Sequence, residues 1–490
     1  MSRRLPTDPN ELELCTDNYG RVHRLDGEIS RGGQGAVFRT KTPNVVVKFE
    51  LKGSELVSDT ENAKYMNLRF LPIPKGAHVT MPQATLKEHG GYIMQMMSDM
   101  IPFGKAFDEE TEKQDRAVPP FVRTADKETQ DFFVDYISSG GERRRLEAFM
   151  KSAALLAQLH AQGLVYCDYS PNNVFISKSL EYCNVWLIDA DNLAYESQTL
   201  KGICFTPGLA APEVFQFACE DSMCTPEDER VGRGNSFASD AYTFAVYLFK
   251  QLAGCHPFTG EAFLQAVQNA DSPEEEFYLL QSGQFAYIAD ENDDSNRGHP
   301  FPLENVCSSE LIALFQQTFC QEGRDNCLSR PGMNEWAVAL ARANDWALHC
   351  SGCGMDYVNE SHHRCPWCDE PKPAVLTAES VCLARSSDAP PLWRFRRELS
   401  DECGIALPLR LAHGYDANEL DKKLLTVSRE NGELLVRIDV ADPNLKVLFS
   451  EDKQSFAEYR TIKTVAKHFY LRCKNAARQT DVLVECGVSS

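Results

Sequence analysis

The chain has 490 residues, 43% of them apolar, and a net charge of −21. That length exceeds what a single core fills, so two or three domains are expected. So acidic a chain makes a poor polyanion binder, which argues against general binding of nucleic acid or anionic membrane. The segment Met1-Ser2-Arg3-Arg4-Leu5-Pro6-Thr7-Asp8 lacks an apolar core, so no signal peptide is expected. No apolar run approaches the ~20 residues of a membrane helix. The best, Ala241 to Leu248, is short and stops at Lys250. Most of the 18 cysteines are scattered singly (Cys183, Cys204, Cys255, Cys320) and read as small buried hydrophobes. Only Cys350, Cys353, Cys365 and Cys368 are regularly spaced, which points to a reducing, cytoplasmic setting.

Residues 1 to about 22 read as a polar leader. Two β-rich segments then flank a glycine-dense turn, Ser30-Arg31-Gly32-Gly33-Gln34-Gly35, followed by Val37 and by Val45-Val46-Val47-Lys48. Glycines let backbone amides approach phosphate oxygens closely. A buried strand that delivers one ammonium suggests a phosphate or carboxylate partner. Leu56 to Leu68 has helical spacing through Leu56, Ala63, Met66 and Leu68. Tyr92-Ile93-Met94-Gln95-Met96-Met97 reads as a strand running into a connector. Residues ~105 to 142 are polar and charged, which predicts an insert with short helices and a flexible loop. An apolar stripe of Leu146, Phe149, Met150, Ala153, Ala154, Ala157 and Leu159 predicts a helix from about Glu142 to Gln162, ending near Gly163.

Next comes Tyr166-Cys167-Asp168-Tyr169-Ser170-Pro171-Asn172-Asn173, then Val185-Trp186-Leu187-Ile188-Asp189-Ala190-Asp191. Phosphoryl transfer needs such a set. One carboxylate faces the attacking hydroxyl, while an amide and a second carboxylate hold metal ions against the phosphates.

Together these stretches resemble protein kinases. The resemblance places Ser30, Gly32, Gly33, Gly35 and Val37 in the glycine-rich loop, with Ser30 where the family has its first glycine. Lys48 matches the lysine that contacts the α- and β-phosphates and pairs with a helix glutamate, for which Glu61 is the choice and Glu55 the runner-up. Met94 falls at the gatekeeper, and Gln95 and Met97 at the hinge whose backbone bonds the adenine. Asp168 would accept the substrate proton, and Asn173 and Asp189 would hold Mg²⁺ or Mn²⁺. Departures are Cys167 for arginine, Ser170 for lysine, and Ala190-Asp191 for Phe-Gly. Tyr166 and Tyr65 are candidates to fill the space above Ala190. Asp191 either assists metal binding or is solvated.

The substrate class comes from the same resemblance. Phe205-Thr206-Pro207-Gly208-Leu209-Ala210-Ala211-Pro212-Glu213 is similar to the end of a Ser/Thr kinase activation segment. It implies that Thr206 contacts the catalytic loop, that Asp240 supports that loop's backbone and that Arg330 pairs with Glu213. An acidic insert, Cys219 to Asn235, lies between. The resemblance covers about residues 23 to 345, with a small lobe at about 23–97 and a large lobe at about 98–345.

In the tail, Cys350-x-x-Cys353 and Cys365-x-x-Cys368 can each turn two thiolates toward one tetrahedral zinc. Four cysteines close the site, so the Zn²⁺ is structural. His349, His362 and His363 are unneeded ligands. Residues 371–391 read as a linker, from Pro371, Pro373, Pro390, Pro391 and Ser386-Ser387. Asn431-Gly432 between Leu424-to-Ser428 and Leu434-to-Ile438 signals a hairpin. With Leu445 to Phe449, Tyr470 to Cys473 and Val482 to Cys486 it fits a β-sandwich over 392–490.

The expected architecture is therefore α+β: a 1–22 leader, a bilobal kinase fold over 23–345, a zinc ribbon over 346–370, the linker and an all-β domain. The resemblance implies ATP-dependent transfer to serine or threonine hydroxyls of proteins, autophosphorylation included, with neither nucleic acid nor membrane as partner. Kinase plus ribbon looks like the bacterial kinases of tellurite-resistance-type triads, whose partners are a PP2C-type phosphatase and a von Willebrand A protein. The alternative is a pseudokinase scaffold that binds nucleotide and recruits partners through its ribbon and β-rich tail.

Overall fold

A computed structural model describes residues 8–32, 35–109, 117–197, 205–219, 234–268, 270, 272–298, 301–358, 363–384, 389–400 and 404–489. It mixes helix and antiparallel sheet, an α+β chain, and divides into two compact units. The first comprises Met1–Asp108 and Leu155–Phe244, the second Glu109–Ala154 and Ala245–Ser490.

The first unit is built on seven strands: β1 (Leu14–Thr16), β2 (Val22–Arg31), β3 (Gly35–Thr40), β4 (Val45–Lys52), β5 (Glu55–Leu56), β6 (Ala84–Thr85) and β7 (Gly91–Gln95). Their order is β1-β2-β3-β4-β7-β6, with β5 on β4. Side chains alternate across a strand. Ala36, Phe38, Val47, Phe49, Leu51 and Ile93 therefore share one face and close a core with Cys15, Ala84 and Leu86. Val37, Lys48 and Tyr92 are direct cross-strand neighbours on the other face. There Tyr92 packs with Tyr65 and Leu68 of the short helix α1 (Ala63–Leu68).

The helix expected over 56–68 is thus only its last six residues. The start is diverted because Gly53, at φ +68°, turns the chain so that Leu56 pairs with Leu51 as β5. A 3-10 turn (Asp59–Glu61) follows. Buried Asn62 then ties α1 to the 86–91 turn, donating to the carbonyls of Leu86 and His89 and accepting from the Gly91 amide. At Gly91, φ is +137° and an added Cβ would lie 2.1 Å from the Lys48 carbonyl, so only glycine lets β7 run this close behind Lys48.

The second unit begins with α2 (Lys127–Ser138), N-capped by Asp126, and the N-terminal part of α3 (Gly141–His160). The helix expected over 142–162 is present within two residues, and Gly163 follows it at φ +80°. Phe249, Tyr287, Phe315, Phe319 and Trp336 form an aromatic core. The β-rich tail has two antiparallel sheets. Five strands run in the order 393–398, 375–382, 480–489, 468–475, 445–450, and four in the order 405–408, 423–430, 433–438, 461–464.

Residues Val375–Cys382 lie where a linker was expected. They are instead a central strand paired along its full length with Thr480–Ser489. The flanking prolines read as linker punctuation, but Val375, Leu376, Ala378 and Ser380 between them are buried. The tail grips the helix Met333–Trp346. Buried Arg410 forms a two-pronged pair with buried Asp345, and Trp393 Nε1 donates to the same carboxylate at 2.7 Å. Arg396 and Arg397 donate to the last carbonyls of that helix, on Trp346, Ala347 and Asn344. Cationic donors at a helix C-terminus satisfy its orphan carbonyls and oppose its dipole.

No disulfide links the described cysteines. Cys183 is buried as expected, whereas Cys255 and Cys320 are only partly so, and Cys204 lies outside the described residues. No described helix is long and apolar enough to cross a membrane.

One buried acid in this unit has a measurable consequence. Glu142, in the first turn of α3, is fully buried and both its oxygens lack a hydrogen bond among the described residues. Burial, with Asp356 nearby, drives its pKa well above the ordinary 4.5, against the pull of Arg145 and Arg143. Above pH ~4.5 the unfolded chain therefore loses a proton that the folded chain keeps, and stability falls as pH rises toward the folded pKa. Each unit of elevation is worth about 1.4 kcal/mol. Glu142→Gln is expected to flatten this slope, raising Tm at pH 8 by about 2–4 °C with little change at pH 5. Equal pH slopes of Tm in the two proteins would refute it.

Candidate active site

The glycine turn closes on itself, with the Gly32 amide donating to the Gly35 carbonyl at 2.8 Å. Gly33 lies outside the described residues. Gly35 has no room for a side chain, since its Cβ would stand 2.7 Å from the Phe49 carbonyl and 3.3 Å from Lys48 Cε. Ser30 and Gly32 are exposed, and Val37, half-buried, stands directly across from Lys48.

The loop 166–173 lies between the strands Leu164–Val165 and Val174–Ser177, and Asp189 follows the strand Val185–Leu187. Two non-glycine residues here are left-handed, Cys167 (φ +69°) and Asp189 (φ +56°, ψ +56°). Such conformations persist where neighbouring bonds over-determine them. At Cys167 the bonds come from buried Asp240, whose carboxylate accepts the amides of Tyr166 (2.7 Å) and Cys167 (3.0 Å) and faces His160 Nε2 at 3.0 Å. Asn235 Nδ2 also donates to the Cys167 carbonyl at 3.3 Å.

Around Asp189 the tie is Tyr166. Its buried hydroxyl donates toward the carbonyls of Ile188 and Asn173, joining the segments that carry Asp189 and Asn173. Burial and the carboxylates of Asp189, Asp168 and Asp240 push this phenol far up in pKa, so it stays a donor. Ala190 is buried, and both Tyr166 and Tyr65 are buried too.

Asp168 is oriented from two sides. Asn173 Nδ2 donates to its Oδ2 at 2.8 Å, and Thr206 Oγ1 lies 3.4 Å from its Oδ1. Lys48, from β4, meets two carboxylates of one turn: Asp189 Oδ1, and Asp191 Oδ2 at 2.6 Å. Burial lowers the Lys48 pKa, but Asp191 and Asp189 more than offset it and hold the ammonium charged. Burial pushes Asp191 up to about 6, with Lys48 pulling the other way and Asp189 adding to the rise.

The sequence-derived residues Lys48 and Asp189 thus meet directly, and Asp168, Asn173 and Thr206 meet one another. Glu61 closes the 3-10 turn before α1, and its side chain lies outside the described residues. Glu55 is exposed on β5. Met94 packs against the Tyr65–Tyr92 cluster. Gln95 ends β7 with an exposed side chain, and Met97 makes no backbone hydrogen bond among the described residues.

Sequence reasoning missed Tyr92, Glu50, Asn62 and Gly91. Tyr92 lies beside Lys48 only through the β4–β7 register. Glu50 is claimed by Tyr65 OH at 2.8 Å and by Lys64 at 2.5 Å.

The donor set fits a hard divalent cation. Asn173 spends its amide nitrogen on Asp168, which leaves Oδ1, and Asp189 spends Oδ1 on Lys48, which leaves Oδ2. Neither remaining oxygen has a hydrogen bond among the described residues. Carboxylate and amide oxygens with incoming phosphate are what Mg²⁺ takes.

A second donor set lies in the other unit. The sulfurs of Cys350, Cys353, Cys365 and Cys368 all lie within 4.8 Å of one another, with 350–368 at 3.6 Å and 353–365 at 3.8 Å. At Zn–S ≈ 2.3 Å a tetrahedral zinc puts its sulfurs about 3.8 Å apart, so this set fits zinc. His349 faces Asp356 at 2.9 Å instead of the sulfurs, and His362 lies outside the described residues.

No protein-family profile matches the chain. Parts of it are similar to curated serine/threonine kinases. Ribosomal protein S6 kinase 2 alpha of Gallus gallus is 28% identical over 132 residues, 26% of this chain and 15% of that one. The liver/testis phosphorylase b kinase gamma catalytic chain of Homo sapiens is 25% identical over 203 residues, 41% of this chain and 39% of that one. The serine/threonine-protein kinase pkn2 of the bacterium Myxococcus xanthus is 30% identical over 125 residues, 24% of this chain and 13% of that one. The chain thus spans well under half the length of these relatives.

Proposed function

We propose that the chain is an ATP-dependent serine/threonine protein kinase that transfers the γ-phosphoryl group to protein hydroxyls, its own included. The observation that carries this is the meeting of Lys48 with Asp189, 141 residues further on, beside a loop that fixes Asp168. Kinase relatives support the same reading. Residues 23–345 would form the bilobal kinase domain, with lobes at about 23–97 and 98–345, ahead of the zinc ribbon and the β-rich domain.

Each site residue has a task in this reading. The glycine turn, Ser30 to Val37, covers the phosphates, and Gln95 and Met97 offer the hinge backbone to adenine. Lys48 orients the α- and β-phosphates. Asn173 and Asp189 hold Mg²⁺ or Mn²⁺, which when bound neutralises charge on the transferring phosphoryl group. Asp168, its carboxylate aimed by Asn173 and Thr206, receives the hydroxyl proton as the oxygen attacks. Cys350, Cys353, Cys365 and Cys368 hold a structural Zn²⁺.

A cytoplasmic location is consistent with the absence of disulfides among the described cysteines. The proposed partners are proteins: substrates, and by the tellurite-type resemblance a PP2C-type phosphatase and a von Willebrand A protein.

One observation favours a second reading, a nucleotide-binding scaffold without transfer: Lys48 occupies an oxygen of Asp189, and Asp191 stands where the family has glycine. Purified protein with labelled ATP and Mg²⁺ or Mn²⁺ separates the two. Asp168→Ala is expected to lower label transfer on the order of 10²–10⁴-fold, the usual worth of a positioned acid–base group, and Asp189→Ala, which removes a metal ligand, to abolish it. Wild-type labelling no faster than in these variants would overturn the kinase reading, and nucleotide binding without labelling would establish the scaffold.

A further inference from the structure

Lys48 needs a fixed counter-ion if it is to keep its place while Asp189 turns to a metal. The described residues offer few. The nearest helix, α1, contains Ala63, Lys64, Tyr65, Met66, Asn67 and Leu68, with no acid among them. What it presents to the Lys48 face is Tyr65, packed on Tyr92 with ring centroids 4.8 Å apart. Glu50, two residues beyond Lys48 on β4, is held by Tyr65 and Lys64.

Asp191 remains. Its Oδ2 lies 2.6 Å from Lys48 Nζ, and its side chain is 15% exposed against 30% for Asp189. Its other oxygen is buried without a hydrogen bond among the described residues. The enclosed carboxylate has one cationic partner, Lys48, with the Tyr92 hydroxyl as a second hydrogen-bonding group, so the restraint acts on both charged groups. Asp189 sits nearer solvent and retains an oxygen. The left-handed Asp189 and the short turn Ala190–Asn192 bring both carboxylates to one ammonium, and small, buried Ala190 leaves room between them.

We propose that Asp191 is a positioning residue, the permanent anchor of Lys48, and that Asp189 is a temporary partner released to the metal. The lysine's anchor among the described residues thereby belongs to the metal-binding turn itself. The kinetic consequence rests on the phosphoryl-transfer reading: Asp191→Asn is expected to raise KM for ATP more than it lowers kcat, whereas Asp189→Asn abolishes transfer.

The anchor itself is tested without turnover. A pulse of an amine-acylating reagent on nucleotide-free protein, read by peptide mass spectrometry, reports how freely Lys48 reacts relative to exposed Lys41. In Asp191→Asn, Lys48 is expected to react about tenfold faster, the factor that ~1.4 kcal/mol of lost restraint gives. In Asp189→Asn it is expected to stay near the wild-type rate, and Asp191→Glu is expected to restore protection.

Cys15, buried on the opposite face of the sheet, remains unreactive toward a thiol reagent in any variant that keeps its fold. If Asp191→Asn exposes Cys15, the Asp189→Asn protein decides alone: retained Lys48 protection supports the proposal, and lost protection overturns it. Lys48 released by Asp189→Asn and not by Asp191→Asn, or released by neither, overturns it as well. The labelling pattern can hold while transfer is absent, which would sink the kinase reading and leave the anchor standing.

Discussion

Replacing Asp240 with alanine is expected to remove most transfer activity and to destabilise the first unit by about 3–5 kcal/mol, the usual loss when one member of a buried charged network is deleted. The carboxylate is 2% exposed and serves three donors: the amides of Tyr166 and Cys167 and the ring of His160. Each buried donor left without an acceptor costs about 1–3 kcal/mol. Cys167 adds a second term. A non-glycine residue held at φ +69° stores about 1–2 kcal/mol, and once its amide is freed it can relax. Asp168 is the next residue, and a shift of about 1 Å in a reacting group typically lowers rate by ~10²-fold. Asp240→Asn keeps one acceptor oxygen and is expected to fall between. The check is denaturation together with labelled-ATP turnover. If Asp240→Ala stays within 1 kcal/mol of wild type and keeps its rate, the loop does not depend on this carboxylate.

The residues that such an experiment perturbs were legible to different degrees. Asp168, Asn173 and Asp189 stand out in the sequence because their spacing is local and strand-like runs bracket them. Asp240 and Thr206 follow from motif resemblance, and the Asp240–loop bonds and the Thr206–Asp168 approach are present in the structure. Asp191 was legible as a nearby carboxylate but not as a partner of Lys48. That pairing needs the left-handed turn at Asp189 and a meeting across 143 residues of sequence. Tyr92 was hidden for the same reason, since only strand register sets it beside Lys48.

In the tail, Asn431-Gly432 signalled its hairpin reliably. Both residues take positive φ, and the flanking strands pair from Glu430 with Glu433 outward. The strand at 375–382 was missed because prolines flank it and one of its two partners, 480–489, lies a hundred residues away; only the other, 393–398, is near in sequence. The Asp345–Arg410–Trp393 knot was equally invisible: an aspartate at the end of a helix reads as a solvated charge until the arginine that meets it is placed.

Withdrawing zinc is expected to disturb more of the second unit than the 19-residue ligand span, Cys350 to Cys368, would suggest. Four sulfurs this close cannot all carry charge without a cation between them, so the two knuckles separate or reprotonate when the metal leaves. Trp367, between two ligands, packs on Phe121, Phe133 and Phe301 and donates Nε1 to the Asp356 carbonyl at 3.0 Å. Asp356 in turn accepts the Arg143 amide at 3.0 Å in the first turn of α3, where helix N–H groups otherwise lack partners. Loss of the metal therefore loosens an aromatic cluster and uncaps a helix together. Structural zinc in isolated fingers is worth about 10–16 kcal/mol. Here the aromatic packing holds part of the ribbon without it, and a loss of about 3 kcal/mol or more is expected from Cys365→Ser or from a strong chelator. Purified protein should release about one zinc per chain to an indicator dye. Hydrogen exchange should then quicken in residues 141–154 and 348–358, and zinc should restore protection in the wild type but not in Cys365→Ser. A protein that releases no zinc would show that the four cysteines hold no structural metal, and exchange at 141–154 that ignores chelation would show that Asp356 caps α3 unaided.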